Sequence, residues 1–396
     1  MDATQQNKLN IDQYSKDIIN TIFLNAINNR VSDIHFEPQP ENLTIRFRID
    51  GLLRPAYKVD KSQQEELISR IKVLSSMNIT ERRLPQDGYL ECAYQDRTYN
   101  IRLSVLPTIY GEAIVCRFHN KEDVLMNLKD LGFDDDQLRI VLALITSQSG
   151  IILTTGPTGS GKTSLLYSFL HAINKTDKNV LTVEDPIEYH LPNIRQTQIN
   201  ESIGLTFAKV MRSVVRQDPD IVMIGEIRDS ETAQMAAQAS LIGTLIFSTF
   251  HTFDVPALIT RLQEMGITNS IIAQALKGVV TTRLLRKICQ SCKIEYQLAP
   301  EEKKKLGVKE DIQNFHRGKG CASCQNSGYM GRIGVYEITN FDSDIKGSIM
   351  EKRPASYIND LISKKMTKSL RESALEKVYQ GISTIDEVIR ILGFPM

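Results

Sequence analysis

Residues 150–163 read Gly-Ile-Ile-Leu-Thr-Thr-Gly-Pro-Thr-Gly-Ser-Gly-Lys-Thr, an apolar run that breaks into closely spaced glycines and a lysine. The apolar part does not alternate with polar residues, as expected of a strand covered on both faces. From Lys162 to about Ala172 the spacing is helical. The segment between them, Gly156-Pro157-Thr158-Gly159-Ser160-Gly161-Lys162-Thr163, fits G-x-x-x-x-G-K-[ST] in its proper strand–loop–helix setting. Such a loop turns backbone N–H groups toward one point, and the helix N-terminus adds partial positive charge. A phosphate chain is what it can hold. Lys162 is expected to reach the β- and γ-phosphates of ATP, and the Thr163 hydroxyl to ligate magnesium. Pro157 has no N–H, but it stands at the start of the loop, where a donor is least needed.

Three further short apolar runs follow: Val180–Val183, Ile221–Ile224 and Leu245–Phe247. Helical segments lie between them, which predicts an α/β fold around a parallel sheet. Two of these runs end in acids. Asp220 to Glu226 delivers Glu226, and Val180 to Pro186 delivers Glu184 and Asp185. Carboxylates at strand C-termini are where an open α/β sheet places ligand chemistry. One is expected to support Mg²⁺ and the other to orient or deprotonate an attacking water.

The 396 residues allow two or three domains. A net charge of +1 excludes bulk electrostatics as a route to nucleic acid, so any basic function must come from local arginine placement. No stretch approaches the roughly 20 apolar residues of a spanning helix, and Met1–Asn10 lacks the order of a secretory signal. The expected location is cytoplasmic, with peripheral membrane attachment through a partner left open. Residues 11–30 and 62–78 read as helices, and 32–36, 43–49, 89–93 and 99–103 as strands, with Asp50-Gly51 as a turn. The first 120 residues are thus predicted to be an α+β domain, residues 121–136 a linker, and 137–396 the nucleotide-binding domain. Residues 300–320 read as a charged loop, and the last 60, including Ala355–Lys364 and Ser369–Tyr379, as helical. No internal repeat is visible.

Six cysteines in a cytoplasmic chain argue against disulfides. Cys92 and Cys116 are expected to be buried fillers. Cys289/Cys292 and Cys321/Cys324 form two C-x-x-C pairs, which predict a closed, structural Cys₄ zinc site within about 285–335. Gly328 and Gly331 allow tight turns there, and nearby His316 is not needed once four thiolates complete the shell. An iron–sulfur cluster and a redox pair are the alternative readings of the same spacing.

Taken together, these segments make the chain resemble the secretion ATPases of type II secretion and type IV pilus assembly, over roughly residues 15–396. The carrying motifs are Ser32–Pro38 (SDIHFEP), Gly156–Thr163, Thr182–Tyr189 (TVEDPIEY), Arg216–Asp229 (RQDPDIVMIGEIRD) and Ser248–Thr252 (STFHT). The resemblance implies a RecA-like ATPase domain behind a PAS-like N-terminal α+β domain, with C-terminal helices from about 341 to 396. It implies Glu184 as catalytic glutamate, Glu226 as the acid supporting magnesium, and His251 near the γ-phosphate. It further implies a homo-hexamer with ATP between two domains, Arg102 and Arg117 facing phosphate, and Arg212 and Arg216 acting between subunits. The implied partner is an inner-membrane platform protein, with no direct nucleic-acid contact. Within this family the four-cysteine element is typical of assembly enzymes and usually absent from retraction enzymes.

Two positions depart from the pattern: Thr244 and Phe253 stand where the family usually has His and Asn. The Ser32 signature also lies so near the start that the extra N-terminal domain of many assembly ATPases, which commonly docks to an inner-membrane partner, is expected to be missing. The leading expectation is an ATP-hydrolysing assembly motor. A nucleic-acid translocase shares the P-loop and the ring, but near-neutral charge and the lack of an aromatic-plus-basic stripe count against it. A non-hydrolysing scaffold is disfavoured by the joint presence of Lys162, Glu184 and Glu226.

Overall fold

A computed structural model describes residues 8–10, 17–95, 97–119, 126–174, 177–252, 254–366 and 368–394. The chain divides into two units, 1–123 and 124–396.

The first unit contains β1 (Lys8–Asn10), α1 (Ile18–Asn28), β2 (Asp33–Pro38), β3 (Asn42–Ile49), β4 (Leu52–Asp60), α2 (Lys61–Leu74), β5 (Gln86–Tyr94), β6 (Arg97–Thr108) and β7 (Gly111–His119). The sheet order is β1-β5-β6-β7-β2-β3-β4. Only the β1–β5 pair is parallel among these described strands. Asp50 and Gly51 both have positive φ, 48° and 87°, the conformation a two-residue hairpin needs between β3 and β4. Strict alternation in β3 sends Leu43, Ile45 and Phe47 to the side where α1 and α2 pack. Ile19, Ile22 and Phe23 of α1 and Leu67, Ile68 and Ile71 of α2 close that core, and Asp17 caps α1 by accepting from the Ile19 N–H at 3.0 Å. Residues 11–16 of the expected first helix lie outside the described residues. Cys92 and Cys116 are fully buried in this core, and burial pushes the Cys92 thiol up to about 12.

The second unit holds α3 (Asp135–Ile145), β8 (Gly150–Thr155), α4 (Lys162–Ile173), β9 (Val180–Glu184), β10 (Arg195–Gln198), α5 (Phe207–Val214), β11 (Ile221–Ile224), α6 (Ser230–Leu241), β12 (Leu245–Phe250), α7 (Val255–Glu264), α8 (Asn269–Ala275) and β13 (Leu276–Ile288). After these come β14 (Lys293–Tyr296), α9 (Pro300–Leu306), β15 (Phe315–Gly318), β16 (Tyr329–Asn340), α10 (Ser343–Met350), α11 (Ala355–Lys365), α12 (Leu370–Tyr379) and α13 (Ile385–Leu392). The main sheet runs β10-β9-β11-β12-β8-β13-β16, parallel except for the last pair. Every residue of β8, β9, β11 and β12 is buried. Neighbouring residues serve opposite faces: Ile151, Leu153 and Val222 join α5–α8, whereas Ile152, Met223 and Phe247 join α3 and α4. This is the α/β layering that the unalternating apolar runs predict.

Two expectations need correction. The linker reading of 121–136 is too long: residues 121–125 lie outside the described residues, but Leu128, Leu131 and Phe133 are buried in the second unit. Phe133 stacks on Tyr336 with ring centroids 3.8 Å apart, and Asp134 caps α3. Acids spaced between these apolar residues disguised a docking segment as a linker. The loop reading of 300–320 also fails, because α9 and β15 lie there, β15 pairing antiparallel with β14. In α9 the charges are ordered for a helix, with Glu301 and Glu302 in the first turn and Lys303–Lys305 in the last.

Candidate functional site: the strand-end cavity and the four-cysteine centre

The strand order places the C-terminal ends of β9, β11, β12 and β8 side by side. At β8 the chain turns through Gly156, Gly159 and Gly161, all at positive φ, and enters α4 at Lys162. Gly156 is required twice over: its φ is 148°, and a Cβ there would come within 2.7 Å of the Thr282 carbonyl. A cavity of about 380 Å³ opens above these ends, lined by the loop, Lys162, Thr163, Glu184, Asp185, Glu226 and His251. The sequence-predicted acids and the histidine, far apart in the chain, are thereby brought together with the loop.

Each group is held differently. The Lys162 ammonium donates to the carbonyls of Gly156 at 2.7 Å and Pro157 at 3.0 Å. Burial lowers its pKa, and the Glu226 carboxylate opposes that shift. Glu226 follows Gly225 at the exit of β11; it pairs with Arg228 and lies 3.6 Å from His251 Nε2. Arg228 also reaches Asp185 at 3.9 Å. Thr249 Oγ1 donates to the Gly225 carbonyl at 2.8 Å, tying β12 to the turn that presents Glu226. Glu184 is 2% exposed and accepts from Tyr167 Oη, from Thr182 Oγ1 at 2.5 Å and from Gln196 Nε2 at 3.1 Å. Burial raises its pKa, and these donors hold the rise back.

Thr244 lies at the entry end of β12, where its carbonyl accepts from the Gly150 N–H, whereas His251 follows the exit end. The substitution there is thus a full strand length from the cavity. Phe253 lies outside the described residues. Arg212 pairs with Glu231, and Arg216 donates to the Arg212 carbonyl at 2.6 Å. Neither arginine lines the cavity. Arg102 and Arg117 belong to the first unit, directly opposite each other on β6 and β7. Asp33, the acid of the SDIHFEP segment, accepts from Arg117 Nε at 2.8 Å and lies 3.4 Å from Arg48 Nε.

Sequence reasoning did not find Leu284 and Arg332, which line the same cavity from β13 and β16, nor Tyr167 and Gln196 around Glu184. No spacing signal marks them, since they reach the site only through tertiary pairing.

The four paired cysteines converge as predicted, all four sulfurs lying within 4.8 Å of one another. Cys289–Cys321, Cys292–Cys324 and Cys321–Cys324 sulfurs are 3.9, 3.8 and 3.7 Å apart. A tetrahedron with arms of about 2.3 Å, the zinc–sulfur length, has edges of about 3.8 Å. The cluster therefore suits one tetrahedral ion; a polynuclear iron–sulfur cluster would spread its thiolates over separate irons. The N–H groups of Cys321 and Gly328 each approach Cys324 Sγ at 3.3 Å, stabilising a thiolate. Beside the centre, Arg286 of β13 donates to Glu387 at 3.0 and 2.8 Å and stacks over the Tyr329 ring at 3.9 Å.

Among the described residues no helix is long and apolar enough to cross a membrane. Residues 9–390 match the family described as type II/IV secretion system protein. The type IV pilus assembly ATPase PilB of Thermus thermophilus is 42% identical over 380 residues, which cover 95% of this chain and 42% of that protein. The type II secretion system protein E of Dickeya dadantii is 41% identical over 374 residues, 94% of this chain and 75% of that one. Among solved structures, the Legionella pneumophila ATPase DotB aligns with a TM-score of 0.70 at 20% identity, covering 96% of this chain and 98% of that one. The pilus retraction motor PilT with bound ADP aligns with 0.62 at 23% identity, covering 95% and 97%. At these identities the structural likeness speaks for the fold alone. The family match over nearly the whole chain, joined to relatives above 40% identity, settles the classification: the chain belongs to the type II/IV secretion system protein family.

Proposed function

We propose that the chain is an ATP hydrolase whose turnover powers assembly of a type IV pilus or a type II secretion pseudopilus. The observation that carries this reading is the convergence of Lys162, Glu184, Glu226 and His251 on one cavity at the exit ends of four neighbouring strands. Relatives named as a pilus assembly ATPase and as secretion protein E support the direction of the work.

In this reading Lys162 leaves the loop carbonyls to bind the β- and γ-phosphates, and backbone N–H groups of the loop take the remaining oxygens. Thr163 and Glu226 would hold Mg²⁺, which supplies charge to offset that of the phosphates. Glu184 accepts a proton from the attacking water; the new P–O bond forms on the γ-phosphorus as its bond to the bridging oxygen breaks, releasing ADP and phosphate. His251, through Glu226, senses the γ-phosphate position. Arg102 and Arg117 face phosphate, and Arg212 and Arg216 act between subunits of a homo-hexamer. An arginine supplied by a neighbouring subunit stabilises transition-state charge and couples hydrolysis to movement in the ring. Zinc on Cys289, Cys292, Cys321 and Cys324 is structural, since four thiolates leave no open position. The motor works at the cytoplasmic face of the inner membrane, attached peripherally through the platform protein.

Phosphate release by the purified chain with ATP and magnesium tests this. Turnover is expected, stimulated by a platform protein and lost in Lys162→Ala. Unchanged hydrolysis in that variant would remove the site, and stimulation by DNA alone would favour a translocase.

A further inference from the structure

Three segments meet at the hydroxyl of Tyr167. This residue sits on α4 one helical turn beyond Thr163 and is fully buried. Its Oη bonds Glu184 Oε2 and receives the N–H groups of Glu188 at 3.3 Å and Tyr189 at 3.4 Å. A phenol offers one proton and two lone pairs. Because two N–H donors occupy the acceptor side, the proton points at the carboxylate. Burial raises the phenol far above its ordinary range, so that proton stays in place.

The other carboxylate oxygen is equally constrained. Gln196 Nε2 donates to Glu184 Oε1 at 3.1 Å and to the Tyr189 carbonyl at 2.8 Å, while Gln196 Oε1 accepts from the Leu191 N–H at 2.7 Å. The amide orientation is fixed from both ends. Thr182 Oγ1 supplies a third donor at 2.5 Å. A carboxylate has about four lone-pair positions. Three are taken, and one is left for water. Three donors also offset the cost of burying the charge.

We infer that Tyr167 and Gln196 are positioning residues for hydrolysis, locking Glu184 and the loop behind it to the helix whose first turn carries Lys162 and Thr163. The inference rests on Glu184 acting as the base. It adds that movement of α4 on nucleotide binding is transmitted to the glutamate through the Tyr167 hydroxyl, and that the glutamate is held to one free acceptor position. A tyrosine that merely filled the core would stabilise the fold without affecting the chemical step.

The test uses the full chain. Tyr167→Phe and Gln196→Leu are each expected to lower kcat about tenfold, the scale of a lost hydrogen bond to a charged group, while KM and equilibrium affinity for a non-hydrolysable ATP analogue stay within about twofold. Glu184→Gln is expected to bind the analogue and lose turnover, and adding Tyr167→Phe to it should change nothing further. Unchanged kcat in Tyr167→Phe, or a loss carried by KM alone, overturns the proposal while leaving the base assignment standing. Should Tyr167→Phe fail to fold, Gln196→Leu on the sheet's edge strand decides by the same criteria. Turnover at the wild-type rate in Glu184→Gln would remove the base assignment, and the inference with it.

Discussion

Strands β13 and β16 serve two polar centres built on opposite plans. At Leu284 and Arg332 they wall the strand-end cavity; a few residues away, Arg286 and Cys289 enter the cysteine centre and its clamp. In the cavity two of the charges rest on replaceable partners, Lys162 on two loop carbonyls and Glu226 on Arg228 and a histidine 3.6 Å away, whereas Glu184 is held by three donors. In the clamp Glu387 is 0% exposed and takes Arg286 at three points, its N–H at 3.0 Å among them, and Arg390 at 2.8 and 2.5 Å. A group that must exchange ligands is paired loosely, and a group that must hold shape is saturated.

The largest expected effect lies in the clamp. Glu387→Ala leaves two arginines facing a buried void and should destabilise the second unit by about 3–5 kcal/mol, measured by denaturant unfolding. A variant within about 0.5 kcal/mol of wild type would break the comparison. The pH dependence follows from the same pair. Burial pushes Glu387 up, but hydrogen bonds from Arg390 and Arg286 outweigh it, leaving the folded pKa below the unfolded one. Its stabilisation is therefore complete above the unfolded pKa, about 4.3, and is lost as pH falls through the folded value. Unfolding midpoints between pH 7 and pH 3 should drop more steeply for wild type than for Glu387→Gln.

Lys162→Ala is the reverse case. It should remove turnover by about a hundredfold or more while moving the unfolding free energy by less than about 1 kcal/mol, because the bonds it loses are to loop carbonyls. In the cysteine centre, Cys292→Ser should cut bound zinc from about one per chain to a small residue, read by metal analysis. Full zinc content in that variant, or iron in place of zinc in the wild type, contradicts the reading of four thiolates on one zinc. A stability loss smaller than that in the clamp is expected at Asp33→Asn, which weakens the hold on Arg117 and Arg48 and should cost the first unit about 1–3 kcal/mol by denaturant unfolding.

Legibility in the sequence followed locality. The P-loop was readable because strand, loop and helix adjoin, and Glu184 and Glu226 because each ends an apolar run. The cysteine pairs announced themselves by spacing. Leu284 and Arg332 were not readable: they line the cavity from two strands joined by residues 289–328, and only the pairing of β13 with β16 places them. Tyr167 reads as one more core residue of α4, and Gln196 as one more polar residue on an edge strand. Their shared acceptor exists only after folding. Charge misled in two places, the acids around Phe133 hiding a docked segment and the lysines of α9 hiding a helix.

We propose that the strand-end cavity performs ATP hydrolysis, with the tightly held Glu184 taking the proton from water. Bound nucleotide and released phosphate should be measured in the same sample for wild type and Glu184→Gln with ATP and magnesium. Equal nucleotide binding is expected, with phosphate released by wild type and almost none by the variant. Equal phosphate release from both would contradict it.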